Sequence, residues 1–417
     1  MILFGAIGCL MYVLLRFLYT KNTELFICIL ICANFDFFYL IPQIGDYENY
    51  PLILLPTVFL IGAEQVVRGR LKFGGFPGIL TMCLCALFFL GIVTAYANGQ
   101  SMLLGIKAIK FHLLVLVFFA VTGQNISIEK LCKYIIGMAL LLIAVLLIDL
   151  FVIKKNLLFV DAEKYMNLRS GRLRFSVGYH VISLACILSF VKFLKKPSSL
   201  YFIIFLFISG YVFFVIQTRM LIFGMFLSGV LIFVVMKNKS PRWILTMFLL
   251  LILFLPGFFL AGKALTQIGV VEQTITEVSK KQGNYLARLI SYEYYLEKIT
   301  ESPIWGFGYE NLNWEKNPAA RLRNKGIYKA DIGVIHFFYE NGLLGILWFM
   351  AMAITVMQKC FKYRDKYPEI LAYFVLSFSV MATLDFLLQT STIILFGIFF
   401  AVLARLSIQE GKLSGRV

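Results

Sequence analysis

Apolar runs of about 18 or more residues recur along the whole chain, and no other feature restricts its fold as strongly. As a helix, each run is long enough to cross a hydrocarbon layer of roughly 30 Å. Membrane-spanning strands are shorter and alternate in polarity, so the runs predict helices. Hydrophobic residues make up 60% of the 417 residues, and the mean hydropathy is +0.86, which excludes an ordinary soluble globule.

The runs predict an all-α, polytopic membrane protein with about thirteen transmembrane helices. We expect three regions: helices 1 to 10 in residues 1–262, a long connection at 263–329, and helices 11 to 13 with a tail in 330–417. No small-residue cleavage pattern follows the first run, which indicates a retained helix rather than a signal peptide. The predicted spans are 2–19, 24–41, 51–67, 77–96, 101–122, 131–153, 173–191, 199–216, 218–236, 243–262, 330–357, 368–386 and 388–405.

Positive charge is distributed unevenly between the two sets of connections. Every second connection with its adjoining span ends, together with the C-terminal tail, holds 20 of the 39 Lys and Arg residues, whereas the opposite short connections 42–50, 97–100 and the turn near 387 hold none. The positive-inside rule therefore predicts an N-terminus outside and a C-terminus in the cytoplasm, in a bacterial cytoplasmic (inner) membrane. The net charge of +17 is therefore better explained by membrane topology than by binding to nucleic acid.

Motifs for metal or nucleotide chemistry are missing from the sequence. The sequence has no GxxxxGK[ST] and no HExxH, and the histidines His112, His180 and His336 are dispersed. Cys83 and Cys85 lie two apart on an apolar helix, so their side chains diverge and do not suggest a metal site. We therefore expect neither a metal nor a cofactor.

The remaining basic residues lie on the predicted outward side, against the rule that sets the topology. Six fall between Lys154 and Arg174, among them Arg172 and Arg174, and ten fall in the 263–329 connection. Lys107 and Lys110, three apart in the fifth span, can share one face, although snorkelling to the headgroups is an alternative. Arg219 opens the ninth span within Gln217-Thr218-Arg219, and a simple interfacial anchor is its alternative.

The 263–329 connection contains a helical periodicity followed by a run of aromatic and glycine residues. Helical spacing of Tyr285, Leu289, Tyr292 and Leu296 predicts a surface helix over Asn284–Ile299 that ends at Ser302-Pro303. The aromatic and glycine run Trp305-Gly306-Phe307-Gly308-Tyr309 follows. A sugar-binding turn and an interfacial aromatic anchor are equally good interpretations of that run.

Outward arginines around a membrane cavity suit a lipid phosphate or pyrophosphate, because guanidinium is permanently charged and can hold two oxygens with parallel bonds. Such arginines also neutralise the charge that develops as a pyrophosphate leaves a sugar. A nearby acid or base then takes the proton of the acceptor hydroxyl.

The segments Arg288-Leu289-Ile290, Ser302 to Tyr309, Asp331-Ile332-Gly333 and Glu340 to Gly345 together resemble the Wzy polysaccharide polymerase and O-antigen ligase superfamily. Gln217-Thr218-Arg219 resembles its arginine turn, and the resemblance covers about 175 to 345 in arrangement. It implies a metal-independent, inverting glycosyltransferase of the C-type membrane architecture that uses polyprenyl-pyrophosphate-linked glycans, such as those on undecaprenyl pyrophosphate.

The resemblance also implies roles for individual residues. Arg219 and Arg288 match family positions that hold the pyrophosphate, whereas Arg172 and Arg174 match only as outward basic residues before a span. In ligases of the superfamily a histidine lies about eleven residues before the Gly-Leu-Leu-Gly element, and Asp331 occupies that place here. His336 lies only six residues before Gly342. The aspartate favours a polymerase of capsule or O-antigen pathways, while a helix N-terminal role for Asp331 stays open.

We therefore predict a polymerase with Asp331, Arg219 and Arg288 as catalytic residues. The predicted substrate-binding residues are Arg172, Arg174, Lys107, Lys110, Tyr292, Trp305 and His336. The expected partners are polyprenyl-pyrophosphate-linked oligosaccharide and membrane lipid, with a flippase and a chain-length regulator as candidate protein partners and no nucleic acid. The alternatives are a glycan ligase, a flippase or exporter of lipid-linked oligosaccharide, and a scaffold. Against a transporter, the halves show no internal repeat and the outward charges gather around one loop.

Overall fold

The computed structural model describes residues 2–35, 50–68, 73–149, 166–169, 172–175, 177–236, 283–317, 322, 325–381, 384 and 392–413. These residues form a helical bundle with one two-stranded hairpin. The helices are α1 Ile2–Lys21, α2 Thr23–Asn34, α3 Tyr50–Val67, α4 Phe76–Ala97, α5 Met102–Ile109, α6 Val117–Thr122, α7 Ile128–Leu147, α8 Tyr179–Lys195, α9 Ser199–Tyr211, α10 Arg219–Val235, α11 Gly283–Glu301, α12 Val334–Tyr363, α13 Pro368–Val380 and α14 Ile393–Leu413.

A helix or a helix pair lies at each predicted span except 243–262, which lies outside the described residues. Among the described residues, 4 helices are long and apolar enough to cross a membrane, or 5 if the bent pair counts as one span. Exposed Phe, Leu, Ile and Val side chains on these helices suit contact with lipid. The helical, multi-span class is therefore confirmed apart from the short hairpin, whereas the number thirteen stays a prediction.

The fifth predicted span is not one continuous helix. Met102–Ile109 and His112–Thr122 are bent by 50°, with Lys110 and Phe111 at the break and a 3₁₀ turn over His112–Leu116. The expectation of a single helix over 101–122 was wrong in this detail. Close packing of the 3₁₀ turn against α14, where Cβ on Gly397 would meet Val115 O at 3.0 Å, accompanies the bend.

The segment before α8 also differs from the expectation. Residues 173–175, predicted as the start of a span, belong to strand β2 (Arg172–Phe175), which pairs antiparallel with β1 (Met166–Arg169). The register places Arg172 opposite Arg169 and Arg174 opposite Asn167. Two basic residues that alternate with apolar ones suit a strand, because its side chains alternate between faces.

Helix α10 packs antiparallel on α13. A Cβ on Gly224 would lie 2.8 Å from Val380 Cγ2, and Ser228 Oγ donates to Ala372 O at 3.1 Å, so the start of α10 lies beside the end of α13. The start of α12 lies at the same end of the bundle, where Val334 N donates to Met381 O at 2.9 Å. This end of the bundle, which holds Arg219, Val334 and Met381, is called the arginine end below.

The other end of the same helices carries lysines. Lys195 Nζ lies 3.1 Å and Lys192 Nζ 3.5 Å from Glu369 Oε1, which joins the end of α8 to the start of α13. Helix rise places Glu369 about 18 Å from Met381 along α13. The two ends are therefore separated by most of the depth of a bilayer core.

Candidate active site at the arginine end

An unusual turn precedes Arg219. A π-helical turn over Val212–Ile216 ends α9, and Gln217 follows in the left-handed region with φ 53°, where a side chain other than glycine is uncommon. Gln217 N donates to Val212 O at 2.9 Å, and its side-chain Nε2 donates to Phe214 O at 2.9 Å. These bonds hold the strained residue in place. Arg219 is consequently the first residue of α10, and its side chain is half-buried.

The β1–β2 hairpin approaches this turn. Strand β2 contacts the π-helical turn that precedes Gln217, so the backbone of Arg172 and Arg174 lies near the start of α10. The sequence predicted both arginines as outward basic residues before a span. The fold brings their strand and the Arg219 turn to the same end of the bundle. Their roles as ligands stay predictions.

Arg288 and Tyr292 lie four residues apart on one helix, and the turn that contains Asp331 contacts that helix. The helix predicted over Asn284–Ile299 is present as α11, which ends at Glu301, directly before Ser302-Pro303, while its position on the membrane surface stays a prediction. Burial raises the pKa of Tyr292, and the nearby charges of Arg288 and Asp331 act on that pKa in opposite directions. The hydroxyl of Tyr292 therefore lies in the field of both charged residues. The Nε of Arg288 is buried and has no hydrogen-bond partner among the described residues.

A 3₁₀ turn over Lys329–Asp331 positions the aspartate. Tyr328 N donates to Ser291 Oγ at 2.9 Å, which fixes the approach of this turn to α11. An aromatic and aliphatic cluster packs between α11 and α12 next to this turn, and its members are Tyr295, Leu322, Ile327, Ile332 and Tyr339. Helix α12 begins only at Val334, with Gly333 as its N-cap. Asp331 thus lies two residues before the N-cap, and its alternative role at the helix N-terminus stays open.

A charged network lies beside this cluster and was not predicted. Lys329 Nζ is 2.7 Å from Glu340 Oε1 and 3.9 Å from Glu310 Oε2, and His336 Nε2 is 2.9 Å from the same Glu340 oxygen. Tyr339 Oη donates to Glu310 Oε1 at 3.1 Å. Glu340 is 8% exposed, so its carboxylate depends on these partners for the solvation it has lost. His336, predicted as a substrate ligand, is a member of this network.

The aromatic and glycine run is built for close backbone packing. Phe307 N donates to Tyr339 O at 2.9 Å and Gly308 N to Glu340 O at 3.0 Å. These carbonyls are available because α12 is interrupted at Gly342, with φ 56° and ψ −149°. A Cβ on Gly306 would lie 2.6 Å from Glu340 O, and one on Gly342 would lie 2.4 Å from Ile304 O. The glycines therefore allow two backbone segments to pack closely, and Trp305, directly before Gly306, is 52% exposed.

Gln100 ties the same loop to the start of α5. Its Nε2 donates to Tyr309 O at 3.0 Å, and its Oε1 accepts from Asn311 N at 2.7 Å. Asn311 Nδ2 donates to Leu104 O at 3.1 Å. Helix α5 therefore lies next to the loop. It carries exposed Lys107 and ends at Ile109; Lys110 follows as its C-cap, and the Lys110 Nζ lies 4.5 Å from the Phe111 ring centroid. Substrate contact by the two lysines stays a prediction.

Sequence reasoning missed Glu340, Lys329, Glu310 and Gln100. One available signal was Glu340 itself, a carboxylate inside a predicted span and four residues after His336, a spacing that places both on one helix face. Glu310 and Gln100 offered no such signal, since their partners are distant in sequence. Among the described residues, no group of three or more His, Cys, Asp or Glu side chains is arranged to hold a metal ion.

Comparison with known proteins gives one family. No curated protein matches the chain. Residues 203–350, from α9 through the interrupted part of α12, match a family model described as O-antigen ligase. The matched stretch includes Arg219, Arg288, Asp331 and the glycine run. Together with the apolar helices this match indicates a multi-pass membrane protein. Over this stretch, which is less than half of the 417 residues, the chain is similar to the O-antigen ligase family, in agreement with the superfamily that its motifs resemble.

Proposed function

We propose that this protein is a metal-independent, inverting glycosyltransferase that joins polyprenyl-pyrophosphate-linked oligosaccharide repeats into a surface polysaccharide. The proposed location is the outer face of a bacterial cytoplasmic membrane, with the N-terminus outside and the C-terminus inside. The observation that carries the proposal is the proximity of Arg288, Tyr292 and Asp331 at the end of the bundle where α10 begins with Arg219. The family match over 203–350 supports the same substrate class.

In the proposed reaction, an acceptor hydroxyl attacks the anomeric carbon of the chain carried on one polyprenyl pyrophosphate. The bond between that carbon and the phosphate oxygen breaks, with inversion, and the pyrophosphate carrier leaves. Arg219 and Arg288 neutralise the leaving oxygens with charge-assisted hydrogen bonds. Asp331 accepts the proton of the attacking hydroxyl. Tyr292 stays a neutral donor near neutral pH, because burial raises its pKa above an already high ordinary value.

Other residues have supporting roles in this proposal. Arg172, Arg174, Lys107 and Lys110 add positive potential toward a lipid-linked anion, and Trp305 offers an exposed ring to a sugar face. A flippase that supplies the repeats and a chain-length regulator are the proposed protein partners. We place both at the arginine end, because the substrate arrives there in the outer leaflet.

A glycan ligase is the second candidate. The family description itself favours it, and so does His336, whose Nε2 lies 2.9 Å from the Glu340 carboxylate. A carboxylate in that position orients the imidazole, as in a base supported by a second group. In a ligase, His336 or Asp331 takes the proton of an acceptor other than a further repeat.

The size of lipid-linked glycans separates these functions. Deletion of the gene in its own host, followed by electrophoretic separation of the lipid-linked glycans, is expected to leave single repeats for a polymerase. Full-length chains that stay unattached would identify a ligase instead. Repeats confined to the inner leaflet would contradict both transferases and indicate a flippase.

A further inference from the structure

A cavity of about 650 Å³ lies at the end of the bundle opposite Arg219. It lies where α7 and α13 begin and α8 ends, and the second half of α14 closes one side. Its walls include Ile126, Ile128, Val402 and Leu406 beside polar groups. The cavity therefore has both an apolar side and a charged side.

The charged side is strongly cationic. Five basic side chains and two carboxylates line the cavity, namely Lys133, Lys192, Lys195, Lys196 and Arg405 against Glu129 and Glu369. Glu369 is 1% exposed and is held by Lys192 and Lys195, while Glu129 pairs with Lys133 at 3.1 Å. Both carboxylates are thus already engaged, and the lining keeps an excess of three positive charges.

Lys196 and Arg405 supply the part of that excess that forms no ion pair with a carboxylate among the described residues. Among the described residues, neither has a carboxylate within ion-pair distance. Arg405 donates through Nη2 to Asn125 Oδ1, and its Nη1 is buried without a hydrogen-bond partner among the described residues. A buried guanidinium donor without an acceptor is costly, so an anion in the cavity would stabilise this arrangement.

A phosphate group fits these requirements best. It carries enough charge to offset the excess, and its oxygens can accept from a guanidinium and an ammonium together. Basic pockets between membrane helices on the cytoplasmic side favour anionic lipid headgroups, and the positive-inside pattern assigns this end to the cytoplasm. Apolar side chains next to the cations suit a phosphate that is attached to an apolar tail.

We infer that this cavity is a phosphate-binding site, separate from the proposed glycosyl-transfer site, and that Lys196 and Arg405 are its principal ligands. The phosphate comes either from an anionic phospholipid of the inner leaflet or from the free ion. Helix rise along α13 places the site about 18 Å from the arginine end, so the inference does not rest on the proposed function.

The test uses the full-length purified protein in detergent. Its probes are phosphatidylglycerol, phosphatidylcholine and inorganic phosphate. The variant is Lys196→Gln with Arg405→Gln, and the matched control is Lys130→Gln with Lys362→Gln, which removes the same charge from residues outside the cavity. Retained lipid is counted by native mass spectrometry, and thermal stability with and without phosphate is measured by tryptophan fluorescence.

Wild type and control are expected to retain phosphatidylglycerol over phosphatidylcholine, and the variant to bind it about tenfold more weakly. Stabilisation by millimolar inorganic phosphate that disappears in the variant would identify the free ion as the source. Lys196→Gln alone, at an exposed position, keeps the test valid if the double variant is unstable. Equal retention of the two lipids with no phosphate effect, or equal binding by wild type and double variant, would overturn the inference.

Discussion

The Lys329 ammonium lies 2.7 Å from the Glu340 carboxylate and joins the end of the long connection to the second turn of α12. The carboxylate is buried and also contacts His336. Because the pair crosses between two parts of the chain, it holds the Asp331 turn against the helix. It connects the proposed chemistry to the stability of the fold.

Glu340→Gln keeps the shape of this side chain and removes its charge. Lys329 then lacks its close partner, and the protein is expected to lose about 2 to 4 kcal/mol of stability. The measurement is thermal or denaturant unfolding in detergent. Glu301→Gln is the matched control, because its pair with Lys298 has the same 2.7 Å distance but is exposed. Similar losses for both variants would show that the buried pair has no special role.

Gly342→Ala places a Cβ 2.4 Å from Ile304 O in a backbone conformation that favours glycine. The neighbouring atoms are backbone and cannot move easily, so we expect destabilisation of at least about 2 kcal/mol and reduced polymer. Gly137→Ala is the control, since nothing lies within 4 Å of its added Cβ and alanine favours a helix. Unfolding curves and polymer length are measured together. A Gly342→Ala protein as stable as Gly137→Ala would contradict the packing role.

Arg219→Lys separates a pyrophosphate ligand from an interfacial anchor. Lysine keeps the charge but loses the two parallel donors that hold a pyrophosphate. An interfacial anchor would tolerate lysine, because the charged end of either side chain can reach the lipid headgroups. We expect Arg219→Lys and Arg219→Ala to insert normally and to lose about 2 to 4 kcal/mol of transition-state stabilisation, or roughly thirty- to a thousandfold in rate. Single lipid-linked repeats should accumulate.

Arg364→Lys, at a half-buried arginine of the opposite end, is the control for this substitution. It is expected to keep normal polymer. Near-normal polymer from Arg219→Lys would reduce Arg219 to an anchor and move the proposed pyrophosphate site toward Arg288.

Asp331→Asn keeps the size of the side chain and removes its basicity. If the carboxylate takes the acceptor proton, polymer synthesis should fall by about 100-fold or more at normal protein level. Lipid-linked glycan profiles and immunoblots measure the two quantities. Asp365→Asn, in the turn between α12 and α13, should have little effect. Wild-type chain length from Asp331→Asn would exclude the proposed base.

Cysteine labelling tests the orientation that the charge distribution predicts. In a cysteine-free background, an impermeant reagent should label thiols introduced at Asn49 and Asn317 of intact cells but not one at Lys239. The Lys239 thiol should react after the cells are opened, which controls for its reactivity. Labelling at Lys239 from outside would invert the topology and the placement of the proposed site.

The helices and their neighbours along the chain follow from local pattern. Apolar length predicted helices at the observed positions, and a period of 3.6 residues over Tyr285 to Leu296 predicted α11. The interruption of α12 escaped this reasoning. The break at Asn341-Gly342 lies where the loop backbone from Ile304 to Gly308 packs against α12. The local sequence pattern does not predict that contact.

By itself the sequence determined a multi-span helical membrane protein, a family resemblance, and the choice of Arg219, Arg288 and Asp331, because hydropathy and motif are properties of neighbouring residues. Tertiary structure decided what those residues lie beside. Gln100 meets Tyr309 and Asn311 across some 210 positions, and Lys329 meets Glu340 across a glycine turn. Such contacts depend on how the helices pack in three dimensions. A local sequence pattern does not report which distant segments the fold brings into contact.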